Sequence, residues 1–221
     1  MSLFDIVGPV MVGPSSSHTA GAVRIGYICR RLMGEPVKHA GIFLYGSFLA
    51  TGRGHGTDRA LVAGLLGMKP DDERIPYSFR VAEEEGMAFE FGVAELREAH
   101  PNTVRLVLTG VSGRGLEVVA ASIGGGRIRV CQIDGLDANF QGDYPTLIVH
   151  NQDKPGYVAE VASMLSRQSI NIATLQLYRD ERGGHAVMVV ECDKEVPEES
   201  RLWLAEREGI DKVTYLSMED K

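Results

Sequence analysis

The stretch TLIVHNQDKPGYVAEVASMLSRQSINIATLQLYR, residues 146–179, decides how this chain is read. It opens on an apolar run, Thr146 to Asn151, of strand length. After a turn, Pro155 stands in the first turn of a helix that runs to Ser166, where a missing N–H costs nothing. Ile170 to Tyr178 reads as a second strand. Arg182-Gly183-Gly184 then turns the chain into a third, His185 to Glu191. Glu198 to Arg207 reads as a helix and Val213 to Leu216 as a last strand. The order is βαββαβ, the ferredoxin-like split unit. Two helices cover one face of such a sheet. The other face, or an edge strand, is expected to pair with another sheet or chain, and Ile170, Ile172, Leu175 and Leu177 supply apolar side chains for it.

Upstream, DGLDANFQGDYP, residues 134–145, is rich in Asp, Gly and Asn and reads as a linker without an apolar period. The expected organisation is a domain over 1–134, a linker over 135–145 and the βαββαβ unit over 146–221. In the first domain, Ala20, Val23, Tyr27, Ile28 and Leu32 fit one helical face, and Gly34 is a stop. Ile42 to Ala50 reads as a strand, followed by a glycine-rich turn, TGRGHGT. Thr57 is placed to cap a helix from Asp58 to about Leu66. Thr103 to Thr109, Leu116 to Ile123 and Arg127 to Ile133 are β-rich, the last two flanking Gly124-Gly125-Gly126. The pairs Gly8-Pro9 and Gly13-Pro14 punctuate the start. The fold class is α+β: an N-terminal α/β domain and a ferredoxin-like C-terminal domain.

Of 221 residues, 44% are hydrophobic, enough for a real core, and 24% are charged. The net charge of −7 argues against a nucleic-acid surface, which needs clustered Lys and Arg. No window approaches the roughly 20 apolar residues of a membrane span. Met1 to Asp5 lacks the charged start and apolar run of a signal peptide, so a cytoplasmic protein is expected. Cys29, Cys131 and Cys192 are widely spaced, not grouped as a metal or cluster ligand set, and read as buried thiols. No metal site is expected in this chain.

Four constellations carry chemistry. In Gly13-Pro14-Ser15-Ser16-Ser17-His18-Thr19-Ala20-Gly21, hydroxyls and a histidine sit where a loop meets a helix, whose free N–H groups favour an anion. The same residues also suit a plain serine-rich helix cap. His18 adds a group able to exchange a proton near neutral pH. Gly52-Arg53-Gly54-His55-Gly56-Thr57-Asp58-Arg59 is either a ligand-approaching loop or a flexible turn. His100-Pro101-Asn102-Thr103 is a turn in which Asn102 either pairs with a ligand or makes an Asx turn. His150 to Gly156, with Ser169-Ile170-Asn171-Ile172, forms two turns that a βαββαβ unit can bring near each other.

FDIVGPVMVGPSSSHTAGAVRIG, residues 4–26, closely resembles the start of iron–sulfur-dependent L-serine dehydratase beta chains. The resemblance continues through LYGSFLATGRGHGTDRALVAGLLGM, HPNTVRL and SIGGGRI, and the tail resembles an ACT regulatory domain. The first domain is also similar to the allosteric substrate-binding domain of some phosphoglycerate dehydrogenases. The resemblance implies a lyase: L-serine loses water, and the resulting enamine gives pyruvate and ammonia. It implies a [4Fe–4S] cluster ligated by a partner alpha chain and not by this one, and no pyridoxal phosphate. Carried over by position, Ser15, Ser16, Ser17 and Thr19 look like a substrate-binding loop, and Gly56 and Thr57 like a second wall. His18 and His55 are the catalytic candidates, with the α-proton base undecided between them. Asn102 is a further substrate-binding candidate. Some serine-sensing ACT domains carry a His and an Asn before the Pro-Gly. Here Asn151 and Asp153 stand there, and Asn171 is retained, so Asn151, Asp153, Gly156 and Asn171 form the candidate effector site of a domain that also serves assembly as a homodimer. The competing reading, from residues without the resemblance, is a non-catalytic amino-acid sensor.

Overall fold

The computed structural model describes residues 10–218, so the Gly8-Pro9 turn and Phe4 to Pro9 of the quoted start lie outside the described residues. The chain divides into two compact units, 1–134 and 135–221.

In the first unit, a π-helical turn, Ser16–Ala20, runs directly into α1, Gly21–Met33, which Gly34 ends in the left-handed conformation. Then follow β1 (Val37–Leu44), α2 (Gly46–His55), α3 (Thr57–Leu65), a 3₁₀ turn (Ile75–Tyr77) and α4 (Ser78–Glu84). The strands β2 (Ala88–Val93), β3 (Thr103–Gly110), β4 (Gly115–Gly124) and β5 (Arg127–Ile133) complete the unit, in the sheet order β2-β1-β3-β4-β5. β1 and β2 pair in parallel, and β1–β3, β3–β4 and β4–β5 pair antiparallel. Alternation puts Val104, Leu106 and Leu108 of β3 in the core, with Ile25, Ile28 and Leu32 of α1.

α1 and α3 pack closely because each carries a glycine at the contact. A Cβ on Gly64 would sit 2.1 Å from the Val23 carbonyl oxygen, and one on Gly26 would sit 2.4 Å from that of Leu61. Helix propensity alone favours alanine over glycine by about 1 kcal/mol. Backbone overlap reverses the sign here. Gly64→Ala is therefore expected to lower stability by about 1–3 kcal/mol, read as a lower urea midpoint. An unchanged or raised midpoint would mean that the helices are farther apart.

Two local expectations are corrected. The strand read over Ile42 to Ala50 ends at Leu44, and the supposed glycine-rich turn is α2. Its first N–H groups, of Ser47 and Phe48, donate to the Pro101 carbonyl at 2.7 and 3.4 Å, so a neighbouring loop caps a helix of poor intrinsic propensity. The supposed linker holds β6 (Leu136–Phe140), the first strand of the second unit, in which Leu136, Ala138 and Phe140 alternate with polar residues.

The second unit contains β7 (Thr146–Gln152), α5 (Tyr157–Arg167), β8 (Ile172–Arg179), β9 (His185–Cys192), α6 (Glu198–Ala205) and β10 (Ile210–Leu216). Its sheet order is β10-β7-β9-β8, the βαββαβ arrangement. Leu147, Val149, Met188 and Val190 pack with Val161, Leu165 and Leu204 to form the core. The opposite face is not open as expected. Ile148, Val187 and Val189 are 0% exposed, and β6 lies against β8 and β9. The edge strand β8 remains the exposed element, with Leu177 46% exposed. No helix among the described residues is long and apolar enough to cross a membrane.

Candidate active site

The π-helical turn is pinned at its start. Ser15 is the N-cap, its hydroxyl accepting from the His18 N–H at 3.1 Å, while its carbonyl accepts from Thr19 and Ala20. The widened turn is a common device for placing a side chain at a functional site. Here it presents His18 to α2. On α2, Ser47, Thr51 and His55 are four residues apart and share one helix face. His18 Nε2 lies 3.1 Å from the Ser47 hydroxyl and 3.2 Å from that of Thr51. The His18 ring is 4.9 Å, centroid to centroid, from His55 and meets the Phe48 ring edge-on at 5.5 Å.

The hydrogen bonds assign the tautomers. His55 Nδ1 donates to the Thr51 carbonyl at 3.1 Å, which leaves Nε2 with its lone pair and no partner among the described residues. Thr51 spends its hydroxyl proton on the Ser47 carbonyl at 2.9 Å, so towards His18 it accepts. His18 therefore carries its proton on Nε2. Burial holds the His18 pKa below the ordinary imidazole value, nearby His55 adds to that, and a contact with Ser47 opposes it.

A depressed folded-state pKa has a defined consequence. The stability it reflects is whole above the unfolded value of about 6.5 and is lost as pH falls towards the folded value. The urea midpoint is expected to fall between about pH 7 and about pH 5. That part of the slope should vanish in His18→Gln, and an identical slope in both proteins would contradict a desolvated His18.

His18 and His55 meet here, with Ser15 capping the turn that carries His18. Ser16 and Ser17 are half-buried, with hydroxyls that have no partner among the described residues. Thr19 and Thr57 point inward instead. Both are buried, and their hydroxyls donate to the carbonyls of His55 at 3.1 Å and of His18 at 2.9 Å. They cross-tie the π-helical turn to the junction of α2 and α3 and leave no hydroxyl proton for a ligand. Gly56, at φ 69°, is that junction, and the space beside it is open. Asn102 contributes backbone contacts: its N–H donates to His100 Nδ1 at 3.1 Å and its carbonyl accepts from Ser122. Ser47 and Thr51 were missed. Their signal was the spacing Ser47, Thr51, His55, which becomes a polar stripe once the segment is a helix.

The candidate effector residues do not converge within one chain. Asp153 accepts from Arg179 Nη1 at 3.1 Å and from the Gly183 N–H at 2.9 Å, at the end of β8. Asn171, just before β8, donates to Asp193 at 2.7 Å. The two ends of β8 are on the order of 23 Å apart at about 3.3 Å per residue. The Asn151 side chain is buried, and its Nδ2 donates to the Gln152 carbonyl at 2.7 Å. Gly156 is the N-cap of α5.

The cysteines do not form a ligand set. Cys29 is fully buried in α1, and burial pushes its thiol well above the ordinary range. Burial pushes Cys192, on β9 in the second unit, up to about 11. All three cysteines are free thiols, and no group of three or more metal-ligating side chains occurs among the described residues.

Residues 2–85 match the family described as serine dehydratase beta chain, and residues 145–200 match the ACT domain. A probable L-serine dehydratase beta chain of Bacillus subtilis is 39% identical over 98% of this chain and 98% of its own length. An L-serine dehydratase beta chain of Peptoniphilus asaccharolyticus is 38% identical over 89% of each. A D-3-phosphoglycerate dehydrogenase of Bacillus subtilis is 29% identical over 78% of this chain and 33% of its own length.

Proposed function

The chain belongs to the L-serine dehydratase beta-chain family, and from that premise we propose that it forms one wall of the active site of a two-chain lyase converting L-serine to pyruvate and ammonia. The observation that carries this reading is the His18–His55 pair, whose hydrogen bonds leave a free lone pair on His55 Nε2. In the proposal the partner is an alpha subunit that holds a [4Fe–4S] cluster, since the thiols of this chain make no ligand set. Residues 1–134 are the substrate-binding domain and 146–221 the ACT domain, and the enzyme is cytoplasmic.

Ser16 and Ser17 offer hydroxyls, beside the start of a helical segment, to the serine carboxylate. His55 Nε2 takes the α-proton, and His18, kept neutral by burial, holds the facing hydroxyls in place. Loss of the α-proton and of the β-hydroxyl as water gives an enamine. Its imine tautomer hydrolyses to pyruvate and ammonia. Ser16→Ala is expected to raise KM about tenfold with little change in kcat, because it removes one charge-assisted hydrogen bond made in ground and transition states alike. A fall in kcat at constant KM would place Ser16 elsewhere in the mechanism.

The ACT domain assembles two copies of the chain in this proposal. Antiparallel pairing of two β8 edges would bring the Asp153 end of one copy to the Asn171 end of the other and complete an effector site across the interface. Anaerobic copurification tests the subunit assignment. An alpha subunit carrying the brown absorbance of a cluster should accompany this chain, and a pure chain that itself binds a stoichiometric cluster would refute it.

A further inference from the structure

Residues 139–144, from the end of β6 towards the start of β7, pass over the helix-free face of the second sheet. With Gln176 of β8 and Glu191 of β9 they enclose a pocket of about 210 Å³, wholly within the second unit. Glu191 is only 8% exposed although it carries a carboxylate. The Thr174 hydroxyl donates to its Oε2 at 2.5 Å, and its Oε1 has no hydrogen-bond partner among the described residues. The adjoining wall is held in place: Gln176 Nε2 donates to the Asn139 carbonyl at 3.0 Å, and the Tyr178 hydroxyl donates to Gln176 Oε1. Asp143 also lines the pocket, and no Lys, Arg or His does.

Charge and shape narrow the occupant. A carboxylate with one unsatisfied oxygen in a sheltered place calls for a donor, and a cationic donor gains most. An anion would face the Glu191 carboxylate in a pocket that no Lys, Arg or His lines. A zwitterionic amino acid such as serine brings its own carboxylate into the same field. The rings of Phe140 and Tyr144 give the pocket an apolar side that a bare metal ion does not use, and no cluster of three or more metal-ligating side chains occurs among the described residues. We propose that this pocket binds a small organic ammonium ion, its N–H donors on Glu191 Oε1 and its carbon stem against Phe140 and Tyr144. The proposal stands apart from the serine site of the first unit.

The test uses the full chain and saturation-transfer NMR with n-butylammonium chloride, with 1-butanol and sodium butyrate as isosteres at constant ionic strength. Saturable binding of butylammonium, with neither isostere binding comparably, is expected. Glu191→Gln keeps an acceptor for Thr174 and removes the charge, so affinity should fall about tenfold or more. If that variant does not fold, Tyr144→Ala, at a half-exposed ring, must weaken butylammonium binding without lowering the melting temperature. No saturable binding, equal binding of butanol, displacement by potassium chloride at equal concentration, or unchanged affinity in the variant would each overturn the proposal.

Discussion

His55→Gln in the assembled enzyme is expected to lower kcat by about 100- to 10,000-fold while the chain stays folded, the range for removing a positioned general base. The side chain is half-buried, and it donates one bond, from Nδ1 to the Thr51 carbonyl. Glutamine offers an amide donor to the same carbonyl and has no basic lone pair. Substrate binding through Ser16 and Ser17 does not involve His55, so KM should change far less than kcat. Cluster content and melting temperature, measured alongside, separate this outcome from misassembly. Near-normal kcat would remove His55 from the proton path.

The second large effect is expected at His18. His18→Ala removes a partner of both the Ser47 and Thr51 hydroxyls and one of two rings in tilted contact, and it leaves the side of His55 unsupported. A loss of about 100-fold in kcat/KM is expected, near the upper end for one strong hydrogen bond together with misplaced geometry. The fold should survive, because the cross-ties to this turn come from backbone and threonine groups: the Ser15 cap on the His18 N–H and Thr57 on the His18 carbonyl. A helix-cap role predicts the opposite pattern, about 1 kcal/mol of stability lost and turnover unchanged.

The second unit was legible because its apolar residues run at strand and helix length and its glycines sit in the turns. The order βαββαβ follows from those runs and turns alone. The Asp-rich stretch after β5 was misjudged through composition. Asp134 at φ 50° and Gly135 at φ 83° form the turn, and Asp-Gly before the alternation Leu136, Ala138, Phe140 is a known hairpin signal. The helical state of residues 46–55 was not legible. Gly52 and Gly54 argue against a helix, and the cap that supports it comes from Pro101, more than fifty positions away in sequence. Of the candidate residues, His18 and His55 come together, their ring centroids 4.9 Å apart. Which hydroxyls face inward was not legible. Thr19 and Thr57 look like ligand groups in sequence, and only tertiary packing turns them onto main-chain carbonyls.

The most direct test of the account is pyruvate formation from L-serine, measured anaerobically with this chain alone, with the proposed cluster-bearing alpha partner alone, and with both together. Turnover only in the mixture, abolished when the mixture contains His55→Gln, is the predicted result. Serine turnover by this chain alone, or full turnover by the alpha chain without it, would contradict the assignment of the His18–His55 wall to the active site.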